Sequence, residues 1–232
     1  HQCNATSTDL SFDLELQAFG TPTTLVARGG EWKYLVTGAA PDASWASSGF
    51  NDSGWPTGTA RLGFGGDGET TTIGYGPDAL NKYPTTYFRR SFTVADRNRY
   101  RGFGLRITRD DGAVVYLNGA EIYRTNMPLG VPAHTTWASA AASGTDETFY
   151  FPSAVLSNIL RDGTNVLAVE VHQNSGTSSD LGFDMELTAV TGPNTIEAAA
   201  GPNGAVAPNG SVLVNDGLDQ SFTFTPDAGY HV

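Results

Sequence analysis

Short stretches in which apolar and polar residues alternate dominate the chain, and that period belongs to half-buried β-strands. In LGFDMEL the apolar positions are Leu181, Phe183, Met185 and Leu187, and in LSFDLEL they are Leu10, Phe12, Leu14 and Leu16. Arg106 to Arg124, RITRDDGAVVYLNGAEIYR, reads as a strand, a tight turn at Asp110-Asp111-Gly112 and a second strand, followed by an Asn118-Gly119 pair suited to a two-residue type I′ hairpin. Farther on, FYFPSAVLSNILRDGTNVLAVEVHQ predicts a strand, a short helical turn carrying Val155, Ile159 and Leu160, a turn at Asp162-Gly163 and a long strand. The expected class is all-β.

The pattern repeats at long range. His1 to Ala18 restates His172 to Ala189 with eleven of eighteen positions identical, a period of about 171 residues. The second copy closes a strand-rich unit, so the first is expected to be the closing strand of a preceding unit. After Val190 the texture changes at TGPNT to Gly-Pro-Asn and Pro-Asn-Gly turns between short strands. The expected division is a spare N-terminal strand over 1–18, a complete β-sandwich over 19–190 and a partial β module over 191–232. A spare strand and an incomplete module both leave edges that a neighbouring copy would satisfy, so self-association through 1–18 and 191–232 is expected.

Composition agrees with many strands and tight turns: 28 Gly and 12 Pro stand beside abundant Thr, Ser, Asn and Asp. A net charge of -11 with only 13 Lys and Arg repels a phosphate backbone, which argues against a nucleic-acid partner. No apolar run approaches the roughly 20 residues of a membrane-spanning helix. No segment at the start resembles a signal peptide, so a targeting signal would lie outside this chain. Cys3 is the single cysteine and cannot close an internal disulfide, which leaves packing, bound ions or assembly to stabilise an extracellular protein.

VYLNGAEIYR followed by SNILRDGTNVLAVEVH resembles the galactose-binding-like jelly roll, including the sugar-binding domain that precedes the barrel in β-galactosidases. Upstream, EWKYLVTG, SWASSGFNDSGWPTGTARLGFG and IGYGPDALNKYPTTYFRRSFTV look like the start of the same domain, which is appended to many secreted bacterial enzymes and surface proteins. The resemblance covers about 31–190 and implies a jelly-roll β-sandwich. GPNGAVAPNGSVLVNDGLDQSFTFTPDAGYHV resembles the small repeat modules of secreted bacterial surface proteins, with a Gly-Ala/Pro-Asn-Gly hairpin and a QSFTFTP-like strand. An extracellular or cell-surface location of bacterial type follows from both resemblances.

Asp110 and Asp111 place two carboxylates at a strand end, a geometry that hard cations such as calcium favour; the alternative is a plain turn with a left-handed glycine. Asp67 and Glu69, with Asp78 nearby, form a second acidic loop without the spacing of a defined calcium loop. Asp110, Asp111, Asp67 and Glu69 are therefore the candidate metal ligands, with structural calcium as the cofactor. Tyr75, Tyr83, Trp45 and Trp55 are candidate sugar contacts through their ring faces, set against a packing role for the tryptophans. His1, His134, His172 and His231 are too scattered to form a metal signature.

No Gly-x-Ser-x-Gly elbow, His-Glu-x-x-His pair or phosphate-cradling loop is present in the sequence. Glu170 and Glu186 lie in expected strands, where solvent-facing or hydrogen-bonded acids are the ordinary outcome. The expectation is a non-catalytic module that binds carbohydrate or mediates adhesion within a larger secreted or cell-surface protein. The alternatives are a subunit of a tandem or strand-exchanged filament, and an accessory domain of a secreted hydrolase.

Overall fold

A computed structural model describes residues 22–155, 159–214 and 219–229. The repeated segment 1–18, with its expected strand, lies outside the described residues. The described chain divides after Gly192 into two compact units.

The first unit holds twelve strands: β1 (Thr23–Val26), β2 (Glu31–Val36), β3 (Thr57–Thr59), β4 (Leu62–Phe64), β5 (Thr71–Thr72) and β6 (Thr85–Val94), then β7 (Tyr100–Asp110), β8 (Gly112–Leu117), β9 (Ala120–Thr125), β10 (Phe151–Val155), β11 (Gly163–His172) and β12 (Leu181–Thr191). They form two six-stranded sheets. The first runs β10-β7-β12-β4-β5, with β1 also on β12, and the second runs β3-β2-β6-β11-β8-β9. Strand β7 occupies one edge of β12, so β1 and β4 share the other edge in succession, at Leu187–Ala189 and Leu181–Phe183. The result is an all-β sandwich, as the alternation predicts.

Inward-facing residues of the two sheets meet in one core. Phe183 of β12 stacks on Phe88 of β6 at 4.2 Å and meets Trp32 of β2 edge-on at 5.0 Å. Met185 and Leu187 continue the β12 row, opposite Leu167, Val169 and Val171 of β11. The second sheet is buried on its outer face as well. Segments 38–55 and 126–142 lie over that face, where Trp45 packs edge-on against Tyr87 and Tyr116, and His134 stacks on Tyr87. Burial on both faces explains the nearly unbroken apolar run VLAVEV in β11, which is uncommon for an antiparallel strand.

Two local expectations change and one holds. Asp110-Asp111-Gly112 is not a hairpin turn, because β7 ends in the first sheet and β8 begins in the second; the motif is a corner between sheets. Gly112 serves close approach: a Cβ there would lie 2.7 Å from the Asn126 carbonyl oxygen and the Met127 sulfur. The residues expected to open a helical turn instead extend β10, whose Val155 pairs with Phe103, and Ile159 and Leu160 are not helical. The Asn118-Gly119 turn has positive φ at both residues, +52° and +91°, as its two-residue loop requires.

The second unit contains β13 (Asn194–Ala198), β14 (Gly204–Ala207), β15 (Gly210–Val214) and β16 (Thr223–Pro226). Here β13 pairs with β15 and β14 with β16, so the Pro208-Asn209-Gly210 turn does not join a hairpin of its flanking strands. Among the described residues no helix is long and apolar enough to cross a membrane.

Candidate functional site

The sandwich gathers chemistry in two places. The first is built by strand register. Leu181 of β12 pairs with Phe64, and Gly182 pairs with Asp110, so Asp180 falls beside Gly65 and next to the inter-sheet corner. A Cβ on Gly65 would come within 2.3 Å of the Asp180 Cβ and 3.4 Å of Asp67 Oδ2. Asp67, Asp180 and Glu147 each bring a carboxylate oxygen to within 4.8 Å of the others.

Asp110 is 1% exposed, and among the described residues no donor reaches either of its carboxylate oxygens. Burial, with the Asp111 and Asp180 carboxyls beside it, pushes Asp110 up to about 9. Burial also raises Asp67, helped by Asp180 and opposed by Arg61. Glu69 goes the other way: burial would raise it, but N–H groups of its own loop outweigh that and hold it below its usual value. One of those donors is Gly66 N at 3.2 Å.

Of the four expected metal ligands, Asp67 and Asp110 are thus brought to one corner. Asp111 has a different role. Its Oδ1 accepts from Ala142 N at 2.7 Å, and its Oδ2 accepts from Asn174 N at 2.7 Å and Ser178 Oγ at 3.4 Å. It therefore ties two loops to the corner. The remaining Glu69 caps its own loop. Oxygen-only donors of this kind suit a hard cation such as calcium. Asp180 and Glu147 were not singled out from sequence; Asp180 is matched by Asp9 in the repeated segment, the one signal that marks it, and Glu147 carries none.

The four candidate aromatics do not converge. Trp45 is packed between Tyr87 and Tyr116, and Trp55 sits edge-on to Phe50 at 5.7 Å. Tyr83 lies against Gly38 and Gly76, where a Cβ would meet its ring at 3.0–3.1 Å. Tyr75, 37% exposed, leans on Phe64 at 5.2 Å, and its carbonyl accepts from Tyr83 N at 2.9 Å.

The second place is a cleft of about 350 Å³ lined by Glu31, Trp32, Lys33, Asp52, Arg89 and Arg90, among others. It arises because the β2–β6 ladder stops at Lys33–Arg89 while β2 continues to Glu31 along β3, where Glu31 pairs with Thr59. The two strands therefore part over Glu31–Trp32 and Arg90–Ser91. Asp52 is closed by Lys33 Nζ at 2.6 Å and Arg89 Nε at 2.9 Å. Burial would raise the Asp52 carboxyl, but these two cations outweigh it and hold the group below its usual value. By contrast, the buried Trp32 Nε1 has no acceptor among the described residues, and the Arg90 guanidinium makes one 3.5 Å hydrogen bond, to the Ala27 carbonyl, while lying 5.9 Å over the Trp32 ring with the Asp184 and Glu31 charges nearby. Gly30 leaves the space that Arg90 fills, since a Cβ there would collide with its Nη1 at 1.7 Å.

No family model and no curated protein matches the sequence. Solved structures similar to it include glycoside hydrolases. A β-glucuronidase of Bacteroides uniformis is 20% identical over 80% of this chain and 21% of its own, with a TM-score of 0.46. A glycosyl hydrolase family 2 member from Bacteroides cellulosilyticus is 12% identical over 77% of this chain and 23% of its own, with a TM-score of 0.47. A β-glucuronidase of an uncultured Clostridium species is 14% identical over 95% of this chain and 41% of its own, with a TM-score of 0.45. The chain spans about a fifth of the length of the first of these.

Proposed function

We propose that the chain is a non-catalytic carbohydrate-binding or adhesion module of a larger extracellular protein, and that the cleft between β2 and β6 receives the sugar. The observation that carries this reading is the unused hydrogen-bonding capacity of Arg90 at the cleft: among the described residues its guanidinium makes one long hydrogen bond, 3.5 Å to the Ala27 carbonyl. Thr57 and Ser91 add hydroxyls, and Glu31 adds a carboxylate acceptor. Saccharide hydroxyls both donate and accept, and planar charged groups such as guanidinium and carboxylate can engage neighbouring hydroxyls in pairs. The volume of about 350 Å³ falls in the range of about 300–1,000 Å³ found for small-ligand sites. A structural calcium ion is part of this reading; it would brace loops at the acidic corner and make no contact with the sugar.

A glycan array followed by calorimetry on the chain tests the proposal. Binding of a saccharide that Arg90→Ala weakens about tenfold or more, with melting unchanged, is the expected result. Silence across plant, algal and bacterial glycans sinks it.

A further inference from the structure

We infer that Asp67, Asp110, Asp180 and Glu147 bind one calcium ion at the corner where β7 leaves the first sheet. Oxygens of Asp67, Asp180 and Glu147 lie within 4.8 Å of one another. Calcium–oxygen bonds of about 2.3–2.6 Å place ligands on opposite sides of the ion roughly that far apart. A loose acidic cluster does not by itself point to a cation, but buried Asp110 beside it adds a second, independent observation. Asp110 is 1% exposed, adjoins Asp180, and among the described residues neither of its oxygens has a donor. A buried carboxylate is tolerated when it is paired, hydrogen-bonded or bound to metal, and only the last is open to this one as a carboxylate.

Arg61 and Arg109 lie near these carboxylates and feel their charge, but among the described residues neither donates a hydrogen bond to a carboxylate oxygen of the four. Arg61 donates from Nη1 to the Asp67 carbonyl at 3.1 Å, while its buried Nε and Nη2 reach no acceptor. Arg109 turns to Thr125 Oγ1 and lies over the Phe151 ring at 4.3 Å. A further oxygen is available at the same corner: Gln173 Nε2 donates to the Asp180 carbonyl at 3.0 Å, and its buried Oε1 has no donor.

The surrounding frame is already built. Asp111 fastens Ala142 and Asn174, on the segments that lead to Glu147 and Asp180, to the residue next to Asp110. Ligands from four separate stretches of chain, all oxygen, suit calcium, which accepts six to eight oxygens in flexible geometry; magnesium requires a near-ideal octahedron and keeps its waters. The ion would pin the loops at this end of the sandwich.

Calcium binding here deepens the structural-ion part of the proposed function and is read without saccharide, so its outcome is separate from that of sugar binding. The chain is stripped with a chelator and titrated with calcium or magnesium by calorimetry, with melting followed in parallel. One calcium is expected to bind in the range of about 10⁻⁴–10⁻³ M, as for extracellular modules, and more tightly than magnesium. Calcium should also raise the melting temperature. Asp180→Asn and Glu147→Gln should weaken binding about tenfold or more. Asp110→Asn should abolish the calcium-dependent rise while melting higher than the parent in chelator. Glu197→Gln, in the second unit and outside the ligand set, should bind as the parent does. Absence of both heat and a melting shift at millimolar calcium overturns the inference, as does parent-like affinity in Asp180→Asn and Glu147→Gln.

Discussion

The Tyr116 hydroxyl donates a 2.6 Å hydrogen bond to the Glu170 carboxylate beneath the loops that cover the second sheet. Burial and the Glu170 charge both push the Tyr116 phenol up, so the tyrosine stays a donor. On the other side, His172 Nε2 lies 3.2 Å from Glu170 Oε2. That contact lacks hydrogen-bond geometry, so Tyr116 is the side chain that donates to the acid. Tyr116→Phe should therefore cost about 1–3 kcal/mol, the penalty for a buried acceptor that loses its donor, visible as a lower urea midpoint at unchanged slope.

Arg89 depends on Asp52 in a similar way. Its side chain is 1% exposed, and Asp52 Oδ2 accepts from its Nε at 2.9 Å. Further donations to the Trp45 and Ser47 carbonyls hold the guanidinium over segment 38–55. Asp52→Ala removes the counter-charge and should destabilise the sandwich by about 3–5 kcal/mol. Thermal melting reads this, and loosening of the segment appears as faster amide exchange over 42–52.

His134 makes the fold sensitive to acid. Burial lowers its pKa, and His172 adds to that; Glu170 opposes, and Tyr87 faces the ring through a 3.0 Å contact to Nδ1. A base with a depressed folded pKa binds its proton more readily in the unfolded chain, so its contribution to stability is present above the ordinary value of 6.5 and is lost as pH falls below it. The urea midpoint should drop between pH 6.5 and 5 more steeply in the parent than in His134→Gln. Equal slopes would remove His134 as the cause.

Two glycines in the first sheet should respond differently to alanine. A Cβ on Gly63 would sit 1.9 Å from the Leu181 carbonyl oxygen, inside the β4–β12 ladder, whereas one on Gly102 meets nothing within 4 Å. Gly63→Ala should cost about 1–3 kcal/mol or more through forced backbone shifts. Gly102→Ala should lie within about 0.5 kcal/mol of the parent. Denaturant unfolding of the two variants provides the comparison.

The all-β class was legible because alternation is a local property. LGFDMEL reads the same in any context, and it places Phe183, Met185 and Leu187 in the core without knowledge of their partners. The Asn118-Gly119 turn was legible for the same reason, since positive φ at two adjacent residues selects those residue types. What tertiary structure alone decided was which distant segments meet. Asp110-Asp111-Gly112 has the composition of a hairpin turn, yet it became a corner because β7 pairs with β12 and β8 with β11. The register of β12 then set Asp180 beside Asp67 and Asp110, more than a hundred residues away from the first. The cleft at Trp32 and Arg90 had no signature at all, because it consists of two strands that part, and the point where a ladder ends depends on both partners. Local residue chemistry determined the elements and supplied carboxylates, aromatics and cations, while long-range pairing decided which of them share a site and which, like Trp45, are enclosed in packing.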